Sequence, residues 1–270
     1  MSETRLFFDC RRSHVRAMNA ITVSLVVALC VFAGGIIGLA VHRVMPKTHL
    51  TKETQEVIRL GTGMLSVIAS LVLGLLIATA KTTFDRTEHN IRSYAAELIL
   101  LNETLRDYGD AAAAPRKLLR DYTSQLLEDN WPTAADRPAV MENQAAGALL
   151  ERVREAIRAL TPVDAGQRWL QDQALQINVS LLRQRWLLIE QDSPSVQPVV
   201  VIILVSWIAL IFATFGFNAP RNGTVIAAFL ICSLAIGGAF FLILEMDDPF
   251  AGVLKISSAP VLSALSHMVP

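Results

Sequence analysis

The sequence predicts an all-α integral membrane protein, in which four transmembrane helices, paired as two hairpins, flank a helical soluble domain. Three observations carry that prediction. Residues 20–41, 60–80, 199–217 and 223–244 contain no charged side chain, and about 20 apolar residues is the length a helix needs to cross the hydrocarbon core. Between the second and third runs, apolar residues recur every third or fourth position, the period of a helix and not of a strand. Hydrophobic residues make up 53% of the chain against 18% charged, with a mean hydropathy of +0.43. That balance is too apolar for an ordinary soluble protein.

The first run follows a basic arm carrying Arg5, Arg11, Arg12 and Arg16. A cleaved secretory signal has a shorter apolar core and a small-residue site after it, so the run at 20–41 is expected to remain as the first membrane helix. Met18 offers a second start that would delete most of the arm. A short polar loop with Pro46 leads to Thr51, Glu53 and Thr54, which suit a helix start. In the second run Gly63, Ser66, Ser70 and Gly74 recur at spacings of three and four, so they share one face. Such a face lets another helix approach closely. It is read either as packing inside one subunit or as an oligomer or pore-lining surface, with Gly34, Gly38, Gly237 and Gly238 as candidate partners.

No breaker separates residue 60 from Tyr108, while Ile91, Tyr94, Leu98, Leu101 and Leu105 continue a helical stripe. The second membrane helix is therefore expected to project out of the bilayer, about 73 Å in all at 1.5 Å per residue. Gly109 and Pro115 bracket an alanine-rich turn. Leu119, Tyr122 and Leu126 mark a second soluble helix, stopped near Trp131 and Pro132. Val140, Leu150, Val153 and Ile157 mark a third, and Ala174, Ile177, Leu181 and Leu188 a fourth, closed by Asp192, Ser193 and Pro194. The domains expected are thus 1–80, an arm and first hairpin, 81–197, a helical domain continuous with the second helix, and 198–270, a second hairpin and tail. The tail after Pro260 is weakly apolar and is not assigned structure.

Four spans place both termini and the 81–197 domain on one side. Basic residues near the membrane favour that side as cytoplasmic, with the N-terminal arginines, Lys81, Arg86, Arg92, Arg183, Arg185 and Lys255 against Arg43, Lys47, Lys52, Arg59 and Arg221. The localisation expected is a bacterial plasma (inner) membrane.

The fourth run ends in Glu245, Asp247, Asp248, Pro249, Phe250 and Gly252. Carboxylates there meet the negative end of the helix dipole, which costs on the order of 0.3–1 kcal/mol each when exposed. Lys81 and Arg86 are the expected compensating cations, forming an interhelical latch. The other reading is an ion-attracting ring or a cation or proton site. Asp85, Glu88 and His89 fall within one turn and could ligate a metal, or form a solvated helix face. Cys10, Cys30 and Cys232 pair by spacing with nothing, so no metal, cofactor or disulfide framework is expected. Trp131, Trp169 and Trp186 are read as core or membrane-surface anchors. The charge is zero overall, with 14 Lys/Arg against 17 Asp/Glu in 81–197, so no nucleic-acid surface emerges. With no phosphate loop, nucleophile elbow or paired zinc histidines, no enzyme is expected.

Two segments together carry a resemblance. Asn218, Ala219, Pro220, Arg221 and Asn222, after Phe215, Gly216 and Phe217, form one. Glu245, Asp247, Asp248, Pro249, Phe250 and Gly252, followed by Lys255, Ile256, Ser257 and Pro260, form the other. They resemble a bacterial membrane family of unknown function nicknamed bestrophin-like. The layout covers most of the chain; the specific motifs span only 215–260. The nickname implies kinship with bestrophins, pentameric anion channels with cytoplasmic termini and a large cytoplasmic helical region. The second run departs from their aromatic-rich pore neck, since no Phe occurs between residues 60 and 80, and no pore residue is carried over. The function expected is a homo-oligomeric ion channel or conduit that partners lipid, itself and small ions. The alternative is a membrane-anchored interaction or sensory module with an unidentified protein partner, acting through 81–197.

Overall fold

The structure, a computed structural model, describes residues 3–44, 52–132, 144–190, 197–250 and 252–268; side chains are not described for 3–19, 42–44, 52, 54 and 144. Eight α-helices and one short 3-10 turn make up the described chain, and none of the described residues is in a strand. In order they are α1 (Glu3–Val44), α2 (Lys52–Tyr108), the turn Asp110–Ala112, α3 (Ala113–Asn130), α4 (Gln144–Arg158), α5 (Ala165–Glu190), α6 (Pro198–Asn218), α7 (Gly223–Asp247) and α8 (Ala259–His267). The chain divides into two compact units, 16–83 with 194–247, and 1–15 with 84–193 and 248–270.

The first unit is apolar. Its helices include four long and apolar enough to cross a membrane: Ala20–Val41, the apolar part of α2, Pro198–Asn218 and Gly223–Asp247. Its core gathers Val27, Val31, Leu204, Ile208, Phe212, Phe229 and Phe240. α1 begins well before its apolar run, and α2 is one helix of 57 residues, since nothing from Lys52 to Tyr108 breaks it. Pro198 opens α6 at a position whose N–H has no partner within the helix.

The second unit is a helical bundle with its own core. α3 packs against α4 and α8, and α4 against α5. Leu98, Leu101, Leu105, Leu119, Leu150, Ile157 and Leu181 are fully buried within it. The tail, to whose last residues the sequence assigns no structure, contains a helix. α8 buries Val261 and Ala264, with Met268 just beyond, a spacing of three and four that seats it on the bundle. Gly109 adopts φ 104, the left-handed region that glycine enters without penalty, and this ends α2. Pro115 lies inside the first turn of α3, buried, where a missing N–H costs nothing.

Several expectations fall outside the described residues: the Pro46 loop with Thr51, Val140, and the Asp192, Ser193 and Pro194 stop. The side chains of Arg5, Cys10, Arg11, Arg12, Arg16 and Met18 are likewise outside them.

Candidate functional site

The close helix packing of the apolar unit is not on α2. A Cβ at Gly34 would stand 2.5 Å from the carbonyl oxygen of Ala209, one at Gly38 would collide with the backbone of Ala213, and one at Gly216 with the carbonyl of Gly35. α1 and α6 therefore touch backbone to backbone, which only glycine permits. Gly237 of α7 meets α1 in the same way, with Ser24 O and Ala28 Cβ both 2.9 Å from its would-be Cβ. Gly34, Gly38 and Gly237 thus serve α1 and its neighbours, and are not partners for α2. Gly238 faces open space.

α2 presents the opposite picture. Gly63 and Gly74 would meet nothing within 4 Å of an added Cβ, Ser70 is exposed, and Ser66 is half-buried. Ser66 Oγ donates to Thr62 O at 2.8 Å and Ser70 Oγ to Val67 O at 2.9 Å, so both hydroxyls are satisfied inside their own helix. Only 11% of the most apolar stretch of α2 is buried, against 28–33% for the other three spans.

The turn from α6 to α7 is a clamp. Arg221 Nη2 donates to Leu39 O of α1 at 2.7 Å, a charged donor on a helix carbonyl. Asn222 Oδ1 accepts the Val225 N–H at 3.0 Å and so caps the start of α7. Asn218 Nδ2 donates to Thr214 O at 2.9 Å, and Pro220 O accepts the Asn222 N–H at 3.1 Å. These residues set the α6–α7 junction and tie it to α1.

The acidic end of α7 has two parts. Glu245 is only 3% exposed. A buried carboxylate needs a partner or a proton, and Glu245, Asp247, Asp248 and Lys81 each take part in interactions. Lys81 is itself exposed. Arg86 is exposed and makes no hydrogen bond or ion pair among the described residues.

The following residues fold onto Trp131 in the helical unit. Pro249 O accepts the Ile256 N–H at 2.9 Å, and Trp131 Nε1 donates to Ile256 O at 2.8 Å. Phe250, buried, meets the Trp131 ring edge-on at 5.8 Å between centroids. Gly252 holds φ 85, which a side chain would strain. Phe250 and Ile256, the latter held by Pro249, thus gather around one indole. Trp131 is half-buried and packs against the core of the helical unit, while Trp169 and Trp186 are 63% and 65% exposed.

The helical unit also holds a polar interior. Tyr94 and Tyr122 share a hydrogen bond between hydroxyls, both fully buried. Burial pushes the Tyr94 phenol well above its ordinary value, aided by the neighbouring Tyr122, and burial raises Tyr122 also, while Arg185 opposes both shifts. Glu97 Oε1 accepts from Ser180 Oγ at 2.9 Å and Gln184 Nε2 at 2.6 Å. Glu88 pairs with Arg92 one turn along α2. Among the described residues no group of three or more His, Cys, Asp and Glu is placed to hold a metal ion.

Four long apolar helices, a helical unit and a chain length of 270 define an all-helical membrane protein. The Bestrophin-like domain model matches residues 27–261, and the chain belongs to the bestrophin-like family. Among solved structures, it is similar to a single-substitution variant of a bacterial bestrophin homologue from Klebsiella pneumoniae, at TM-score 0.67 and 16% identity, covering 92% of this chain and 96% of that one. A second structure of the Klebsiella pneumoniae homologue gives TM-score 0.63 and 14% identity, covering 90% and 96%. At these identities the likeness is one of fold. No curated protein matches the chain.

Proposed function

We propose that this protein is a homo-oligomeric ion conduit of a bacterial plasma membrane, in which copies of α2 face one another around a central path. One observation carries the reading: α2 is the least buried of the four candidate spans, and Gly63 and Gly74 on its small-residue face would meet nothing within 4 Å of an added Cβ. Its small side chains and internally satisfied hydroxyls suit close approach of a second helix or passage of a small ion. Family membership supports the reading, because the bestrophin resemblance implies channels. The excess of basic residues on one side supports cytoplasmic termini and a cytoplasmic 81–197 domain. The two-hairpin pairing of the spans, Lys81 as a latch for Glu245 and Asp247, and the absence of catalysis belong to the same proposal.

The test is disulfide crosslinking of Ser70→Cys in a background with Cys10, Cys30 and Cys232 replaced by Ser. Rapid dimer formation in native membranes, absent for a cysteine at buried Ala69, supports α2 facing α2. A monomer that resists crosslinking overturns it.

A second reading has its own support. On α5, Trp169, Val179 and Trp186 are all more than half exposed, an unusual apolar display for a solvated helix. They suit a partner protein, making the chain a membrane-anchored interaction or sensory module. Pull-down with full-length protein, lost in a Trp169→Ser, Trp186→Ser variant, separates this reading from the first.

A further inference from the structure

The apolar unit contains an open groove of about 640 Å³ between the first turns of α2 and the last turn of α6. That volume lies in the range of about 300–1,000 Å³ typical of small-molecule sites. Glu56, Arg59 and Thr62 line it from α2, and Thr214, Phe215 and Asn218 from α6. Thr62 Oγ1 donates to Thr214 Oγ1 at 3.2 Å and Thr214 Oγ1 to Ile211 O at 2.7 Å, which fixes the two helices at one level. Both walls change from apolar to polar there. Arg59 precedes the uncharged run of α2, and Asn218 follows that of α6. In a bilayer this is the depth of the lipid headgroups.

The chemistry of the walls is that of a zwitterion's counterpart. Glu56 and Arg59 are three residues apart, a spacing that places side chains on neighbouring helix positions. Farther along the same helix, Glu88 and Arg92, and Glu103 and Arg106, close into ion pairs. Glu56 and Arg59 do not pair, with each other or with any described residue. Both are exposed, so an anionic and a cationic group stand open at the rim. Phe215, 51% exposed, supplies an apolar wall below them. Asn218 uses its amide N–H on Thr214 O, which leaves its carboxamide oxygen among the polar groups of the groove.

From this arrangement we infer that the groove binds the headgroup of an ethanolamine phospholipid. The Arg59 guanidinium takes the phosphate, and the Glu56 carboxylate takes the primary ammonium. Phe215 lies against the first methylenes of an acyl chain. A choline headgroup offers its phosphate to Arg59 but no N–H to Glu56. A glycerol headgroup offers no cation at all, and its net negative charge meets the Glu56 carboxylate. The observed pair therefore selects ethanolamine over both.

Native mass spectrometry of the full-length protein in detergent tests this, with phosphatidylethanolamine, phosphatidylcholine and phosphatidylglycerol of matched acyl chains titrated in turn. The wild type is expected to retain phosphatidylethanolamine severalfold more than either other lipid. Glu56→Gln is expected to abolish the preference over phosphatidylcholine while leaving phosphatidylcholine retention unchanged. Arg59→Gln is expected to lower retention of both severalfold. Helical circular dichroism melts matching the wild type show that each variant is folded, and Arg59→Lys, which keeps the charge, should restore much of the loss. Equal retention of the three lipids, or a preference untouched by Glu56→Gln, overturns the inference. So does preferred phosphatidylglycerol, which would mark a plain anion site. Displacement of phosphatidylethanolamine by equimolar soluble O-phosphoethanolamine would assign the groove to a free solute and overturn the lipid source.

Discussion

Glycine has two opposite meanings in this chain, and substitution separates them. At Gly38 an added methyl group meets the backbone of Ala213, so Gly38→Ala must push α1 off α6 at a cost of about 1–3 kcal/mol. At Gly74 the same methyl meets nothing within the subunit, and Ala is the better helix former by about 0.5–1 kcal/mol. Thermal unfolding in detergent should therefore show Gly38→Ala lowered and Gly74→Ala unchanged or raised. The carboxylates at the end of α7 make a second residue-scale prediction. If Asp247 latches to Lys81, Asp247→Asn lowers the melting temperature and leaves ion selectivity alone. A variant of wild-type stability with altered ion dependence would refute the latch. Both glycine classes were visible in the sequence as small residues at helical spacing. Which of them touch could not be read there, because spacing defines a face without naming what lies opposite. The buried state of Glu245 was hidden for the same reason.

At the scale of elements, the helices that sequence defined best were those with an uninterrupted pattern. α2 runs through Lys81 and Asp85 without a break because no Gly or Pro occurs in residues 75–108, and its apolar stripe simply continues. α8 was missed. It is nine residues long, and its seating residues Val261 and Ala264, with Met268 just beyond, have meaning only once the bundle exists to receive them. The role of Trp131 was hidden likewise, since the loop that wraps it comes more than 115 residues later in the chain. α2 and α3 also make a pH prediction. Tyr94 and Tyr122 have phenols raised above their ordinary value of about 10, chiefly by burial. The neutral forms are favoured in the folded state, so this contribution to stability is complete below about pH 10 and is lost as the pH rises above it. Chemical denaturation should show stability falling above pH 10, and falling less steeply in the Tyr94→Phe, Tyr122→Phe double variant. Removing both hydroxyls leaves no orphaned partner, whereas either single variant does. An unchanged alkaline slope in the double variant would contradict the assignment.

At the scale of the molecule, each unit follows a different solvent. The apolar unit carries Leu, Ile and Val on its outer faces, and α2 is the extreme case, with Met64, Val67, Leu71 and Leu75 all about two-thirds exposed or more. The helical unit buries Leu98, Leu101, Leu105, Leu119, Leu150, Ile157 and Leu181, and carries ion pairs such as Arg106–Glu103 and Arg154–Glu151 on its surface. The membrane class of the chain was legible from composition and run length alone. The family was legible from two short segments, and both prove to be junctions. One clamps α6 and α7 to α1 through Arg221, and the other folds a loop onto Trp131. Neither motif is the place where conduction is proposed. That claim rests on the α2 face, and ion flux into proteoliposomes tests it most directly. Purified wild-type protein should pass small ions faster than protein-free vesicles, and Ser70→Trp, placed on the open face, should abolish the flux while the protein stays folded and assembled. Wild-type flux no greater than that of empty vesicles, or flux unaffected by Ser70→Trp, would contradict the account.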